Sequence, residues 1–189
     1  MNKKRVAALI RQLLIEIGED PNREGLRRTP ARVAESFEHL TRGYRASIKR
    51  TVNKAIFEAE ANNMIIARDI EVYSMCEHHI LPFFGRCHIG YIPSRKVLGV
   101  SKLARLVDHF SRRLQIQERL TAQVARAIVD TIDAQGVGVV MECRHLCMMM
   151  RGVEKQQSLM TTSSVLGSFH SDAATRLEFL HLINRQREE

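Results

Sequence analysis

Four consecutive residues, Cys76-Glu77-His78-His79, set a thiol, a carboxylate and two imidazoles side by side. Cys76 and His79 have C-x-x-H spacing, so one turn can aim both at a single ion. A transition metal needs more than two protein ligands. Further donors stand far along the chain, where His145 and Cys147 end an alternating apolar run. On a strand those two share a face. Cys76, His79 and Cys147 together form a soft donor set that suits zinc. Three readings of these residues stay open: a catalytic zinc with one position left to water, a structural zinc closed by His78 or His145, or ordinary buried side chains. The surplus of titratable groups, Glu77, His78 and His145, favours catalysis. Zinc brings bound water to a pKa of about 7, and imidazoles move protons in that range.

Other residue types could hold a substrate. Lys102, Arg105 and Arg151 are candidates for a polyphosphate clamp, although each taken singly reads as a solvated surface cation. Gln117-Glu118 could read a guanine edge, because a carboxylate accepts from the ring N–H and the exocyclic amine as a fork. As a dipeptide it is a weak signal.

The chain that must position these groups has 189 residues, 44% of them apolar and 26% charged. That size fits one domain, or one domain with a helical appendage. The net charge of +8 suits nucleic acid or a small polyanion such as a nucleoside triphosphate. No apolar run reaches the roughly 20 residues of a membrane span. Residues 1–17 carry basic residues and then an apolar patch broken by Arg11, Gln12 and Glu16. They read as an amphipathic helix, not a signal peptide, so a cytoplasmic protein is expected. In a reducing compartment the four cysteines point to metal or catalysis more than to disulfides.

Periodicity gives the elements. Val6, Leu9, Ile10, Leu13, Leu14 and Ile17 form one helical face that Gly18 stops. Thr29-Pro30 starts a second helix, with Thr29 as N-cap and a stripe of Val33, Phe37 and Leu40. Thr51–Phe57 could form a strand. Met64–Met75 is a strand with Ile66, Ile70 and Val72 on one face, and Gly85–Ile92 is its antiparallel partner. Two helices follow. Ser101 can cap the first, whose stripe is Leu103, Leu106, Val107 and Phe110; Lys102 and Arg105 share its other face. Gln115–Glu118 is a polar connector, and Leu120, Val124, Ala127 and Ile128 line the second helix. Val137–Cys147 and Ser158–Val165 are two more strands. A last helix starts at Ser171 or Asp172 with Arg176, Leu177, Leu180 and Ile183. The fold class is α+β, with a helical segment over 1–45 and a catalytic domain over 46–189.

Together the motifs resemble the GTP cyclohydrolase I family. The resemblance rests on S-M-C-E-H-H-x-L-P-F-F-G at 74–85, G-Y-I-P at 90–93 and G-V-S-K-L-A-R at 99–105. It continues through Q-I-Q-E-R-L-T at 115–121, R-H-L-C-M-M-M-R-G at 144–152, Met160–Ser163 and Leu166-Gly167. It implies the tunnelling fold, a ββααββ unit, and a homodecamer with active sites between subunits. It implies zinc on Cys76, His79 and Cys147. Guanine would be held by Glu118 and the backbone near Gln117. Lys102, Arg105 and Arg151 would hold the triphosphate, with Arg32 from a neighbouring subunit. The implied reaction is hydrolytic attack on C8 of GTP, with His145 protonating N7 and His78 assisting proton transfer. C8 leaves as formate. Ser101 helps the ribose rearrangement that leads to 7,8-dihydroneopterin triphosphate, the entry to folate or biopterin synthesis. Two competing classes are a zinc-stabilised nucleic-acid module and a fold relative acting on another purine or pterin. The first is disfavoured because the cations are scattered among motifs. The second should lack the ligand trio or His145.

Overall fold

The computed structural model describes residues 1–52, 55–60 and 62–184. They form two compact units, Met1–Arg42 and Gly43–Glu189. The first holds helices α1 (Lys3–Glu16) and α2 (Thr29–Leu40), which pack on each other and are tied by Lys3 and Glu38 at 3.0 Å. Asn2 caps α1 by accepting from the Arg5 N–H at 3.0 Å. Gly18, left-handed at φ 87°, ends it, since its missing Cβ removes the penalty there. Thr29 is the first residue of α2 and not its cap; Arg28 takes the cap position without a side-chain bond. Of the apolar face expected on α1, Leu9, Leu13 and Ile17 are exposed.

The second unit begins with α3 (Ile48–Val52), β1 (Ile56–Glu58), β2 (Ile65–Cys76), β3 (Pro82–Ile92) and β4 (Lys96–Leu98). Then come α4 (Val100–Ser111), β5 (Leu114–Gln115), α5 (Gln117–Ile132), β6 (Gly136–His145) and α6 (Leu146–Met149). It ends with β7 (Met160–Gly167), α7 (Ser168–Ser171) and α8 (Ala173–Asn184). The strand expected over Thr51–Phe57 is not one element. Thr51 and Val52 close α3, only Ile56–Glu58 is extended, and residues 53 and 54 lie outside the described ones. Ser101 does not cap α4: Gly99 holds that position, and Ser101 sits inside the first turn. Gln115–Glu118 is not a connector either, because Gln115 ends β5 while Gln117 and Glu118 open α5.

A five-stranded sheet runs in the order β5-β2-β3-β6-β7, antiparallel except where β5 joins β2, and β1 pairs with β4 apart from it. Alternation sends Val72, Phe83, Cys87, Ile89, Tyr91, Val137, Val139, Met141 and Cys143 to one face. There they meet the stripes of α4 and α5, Leu103, Leu106, Val107, Leu120, Val124 and Ile128 among them, in the main core. Each fully buried aliphatic side chain contributes roughly 1.5–3 kcal/mol. The opposite face carries a smaller cluster around Val140, Phe169 and Phe179, packed by Ile66, Leu180 and Ile183. Ile66 therefore does not share a face with Ile70 and Val72. A bulge between Ala67 and Ile70 shifts the parity of β2 by one residue. Asp69 takes φ 59° in that bulge, its N–H donates to His88 Nδ1 at 3.2 Å, and its carboxylate meets Arg86 at 2.8 Å. On α8 the buried side chain is Phe179, whereas Leu177 is exposed. Asp172 caps α8 through the N–H groups of Ala174 and Thr175.

Candidate metal centre and active site

The β2–β3 hairpin turns at Glu77–Leu81. The Cys76 N–H donates to Leu81 O and the Ile80 N–H to Cys76 O, both at 2.8 Å. Ile80 closes the turn in the left-handed region at φ 55°. That conformation is strained for a β-branched residue, and it lies directly beside a proposed ligand. The turn brings the Cys76 sulfur within 3.9 Å of Nδ1 of both His78 and His79.

Cys147 completes a cluster. One donor atom each from Cys76, His79 and Cys147 lies within 4.8 Å of the others. Donors around a tetrahedral zinc at 2.0–2.3 Å stand roughly 3.5–3.8 Å apart, so the set fits that ion with little movement. Cys147 does not reach the cluster along a strand, as its alternation suggested. Strand β6 stops at His145, and Cys147 sits in the single turn of α6. Burial and the neighbouring Cys76 sulfur push the Cys147 thiol above its usual range, while Arg151 opposes them. A bound cation reverses that balance. The other two cysteines are core residues. Cys87 and Cys143 are buried, and burial raises both thiols, Cys143 to about 12, so they are inert as ligands.

His145 is held from two sides. Phe83, its partner across the β3–β6 register, stacks on the ring at 4.6 Å and 6°. Gln117 Oε1 lies 2.8 Å from His145 Nε2. The Gln117 amide nitrogen faces Met141 O at 3.0 Å and Met160 O at 2.9 Å, which can only accept. Its oxygen must therefore face the imidazole, and His145 carries its proton on Nε2, leaving Nδ1 free. Burial lowers the pKa of His145, and the Glu118 carboxylate works against that shift. Sequence reasoning assigned Gln117 to substrate. In the structure its side chain is 1% exposed and committed to His145, a role that no spacing announces. Phe83 was missed too, although its register with the end of an alternating strand was the available signal.

The remaining candidates divide by position. Glu118 is exposed on the first turn of α5. Arg151 is exposed, 3.3 Å from both His79 Nε2 and Cys147 O. Ser101 and Lys102 are not at this end of the sheet. The Leu98 N–H donates to the Tyr91 hydroxyl, which places the start of α4 at the far end of β3, whereas Ser74 Oγ donates to Ser111 O at the ligand end. From Lys102 to Ser111 the helix rises about 14 Å. Lys102 and Arg105 do not share an environment either: Lys102 is buried, and Arg105 is exposed on an open cleft of about 450 Å³ with Arg68, Tyr73 and Arg112. Arg32 is exposed on α2 in the first unit.

The chain is an α+β protein whose thiol–imidazole–thiol cluster could hold a metal ion, with a tethered histidine two residues from one of its members. Comparison with known proteins narrows the class. A family model described as GTP cyclohydrolase I matches residues 6–184. The GTP cyclohydrolase 1 of Coxiella burnetii is 57% identical over 180 residues, 95% of this chain and 98% of that one. That of Leptospira biflexa is 59% identical over 175 residues, covering 93% and 96%. The chain belongs to the GTP cyclohydrolase I family. Among solved structures, archaeosine synthase QueF-Like in its apo form matches 57% of this chain and 97% of its own at 14% identity and TM-score 0.48, a likeness too low to bear on the site.

Proposed function

We propose that this chain catalyses the GTP cyclohydrolase I reaction. Water opens the purine of GTP at C8, C8 leaves as formate, and the rearranged ribose closes onto the pyrimidine to give 7,8-dihydroneopterin triphosphate. The observation that carries the reading is the Cys76–His79–Cys147 cluster next to an imidazole with a fixed tautomer. Zinc held by those three donors would supply the Lewis acid that makes water nucleophilic near neutral pH.

The chain's own residues do the rest. His145, anchored through its Nε2–H, takes a second proton from solvent at Nδ1 and passes that proton to N7, which makes C8 electrophilic. His78, exposed beside Cys76, relays protons to solvent. Were His79 to bind the ion through Nδ1, the nitrogen that faces the Cys76 sulfur, its Nε2 would carry the proton. Arg151, which only donates, then loses its acceptor there and turns to the triphosphate. Glu118 accepts from the guanine ring N–H and amine, and the backbone at Gln117 adds to that edge. Ser101, Lys102, Arg105 and Arg32 serve the ribose and phosphates from neighbouring copies. The length of α4 supports this, since within one chain it carries Lys102 away from the ligands. The reading accordingly includes a tunnelling-fold catalytic domain over 46–189, a helical segment before it, a homodecamer with shared sites, and a cytoplasmic location. Among the described residues, no helix is long and apolar enough to cross a membrane.

The test is direct. Zinc-loaded protein given GTP should release formate and form a fluorescent pterin. Metal-replete protein that yields neither would refute the proposal.

A further inference from the structure

The first turn of α5 reaches the candidate site twice. Gln117 points to His145, and two residues on Arg119 points to the hairpin turn, where its guanidinium forms an ion pair with Glu77. Glu77 stands between the ligands Cys76 and His79 in sequence but is outside the donor cluster found among the described residues. Its carboxylate, held below the usual range by the bond to Arg119, is occupied with that cation.

We infer that Arg119 is a positioning residue: through Glu77 it braces the turn that carries Cys76 and His79, and so sets how tightly that turn holds a metal ion. The inference rests on reading Cys76, His79 and Cys147 as a metal centre. An exposed ion pair ordinarily contributes little, because two long side chains must be ordered to make it. Arg119 is already ordered. Its Nε donates to Gln115 Oε1 at 2.9 Å, and a second guanidinium nitrogen reaches Leu114 O at 3.3 Å. Gln115 is itself buried and fixed, donating to Phe110 O at 3.0 Å and Gln123 Oε1 at 2.8 Å. Glu77 meets the same element through its backbone, with its N–H on Gln115 O at 3.0 Å. The end of α4, strand β5 and the start of α5 thus form one rigid corner that grips the ligand turn by main chain and side chain. Without the grip, the turn must be ordered at the moment of metal binding. Loss of a group that orients metal ligands typically costs ten- to a hundredfold in metal affinity.

The experiment uses the full chain in its assembled form, as wild type, Arg119→Ala, Arg119→Lys, Glu77→Gln and the Arg119→Ala/Glu77→Gln double variant. Zinc affinity is read by competition with a chromophoric chelator, the metal-free melting temperature by calorimetry, and KM and kcat for GTP separately. Arg119→Ala and Glu77→Gln should each lose ten- to a hundredfold in zinc affinity. The double variant should lose no more than either, because they act as one unit, and Arg119→Lys should recover part. KM for GTP at saturating zinc should stay within about twofold, since neither side chain is assigned to substrate. Arg119→Ala or Glu77→Gln with wild-type zinc affinity overturns the inference whatever happens to the melting temperature. So does a change in KM alone, which would make Arg119 a substrate contact. Should Arg119→Ala not fold, the near-isosteric Glu77→Gln carries the test. Wild type that binds no zinc, or Cys147→Ser that binds it as tightly as wild type, would instead overturn the metal-centre reading.

Discussion

Gln117→Leu separates the architecture of this site from its composition. The substitution keeps the side chain's bulk and removes its bonds to His145 Nε2, Met141 O, Met160 O and Thr162 Oγ1. Thr162 keeps a partner, since its hydroxyl also meets Thr121 Oγ1 at 2.7 Å. The carbonyls of Met141 and Met160 keep their places in the β6–β7 ladder, but an imidazole N–H loses its acceptor where the side chain was 1% exposed, so water has little access. One stranded donor costs roughly 1–3 kcal/mol. For a chain of this size that is a drop of roughly 2–12 °C in melting temperature. The catalytic effect should exceed the thermal one in importance. His145 would keep its stack on Phe83 but lose the bond that fixes its tautomer, and misplacing a general acid costs on the order of a hundredfold in kcat. Gln117→Glu is the control. It keeps an acceptor for His145 but sets a carboxylate oxygen against two carbonyl oxygens, so stability should fall while kcat falls less than in Gln117→Leu. Calorimetry and steady-state formate release check both. A Gln117→Leu protein with kcat within threefold of wild type and an unmoved melting temperature would refute the assignment of Gln117 as the clamp on His145.

Further outcomes follow from the structure. Cys147→Ser should lose zinc and turnover together, and Lys102→Ala should keep zinc but lose turnover. Chains of the two variants, unfolded, mixed and refolded, should recover activity, because each supplies the half of the site the other lacks; a mixture as inactive as its parents would refute sites shared between copies. Gly90→Ala would place a Cβ 2.6 Å from the ring of Phe179, which is fully buried, so overpacking should cost about 1–3 kcal/mol. A melting temperature equal to wild type would show that the ring gives way.

What the sequence made legible was everything that depends on period. The stripes of α4 and α5 and the core faces of β3 and β6 read correctly, because burial against one surface imposes a spacing of 3.6 or 2. The errors fall where a single residue breaks the period. Asp69 inserts a bulge, and Ile66 changes face. His145 ends β6 two residues before Cys147, so the ligand arrives on a helical turn and not on the alternating strand. Lys102 and Arg105, three apart on one helix, were paired by spacing alone, yet one is buried and the other open.

The corner between β5 and α5 shows why the remainder was out of reach. Gln117, Glu118 and Arg119 are successive residues of a first helical turn, so their side chains diverge by about 100° each. Divergence wastes a packing surface but serves a site. One residue reaches His145, 28 positions away, and another reaches Glu77, 42 positions away. Neither partner lies in the helix's own repeat, so no amphipathic pattern marks the contacts. The polar stretch Gln115–Glu118 that looked like a connector is the opposite of slack: a buried glutamine on each side of Ile116 fixes the corner to the sheet and to α4. The same corner is where α4 ends, having risen from the end of the sheet that holds Lys102. The ligand turn, His145 and Glu118 thus gather at one end of each chain, and Ser101 and Lys102 at the other. If Ser101 and Lys102 have the roles proposed for them, the reaction draws on both ends, and the proposal then calls for a second copy of the chain.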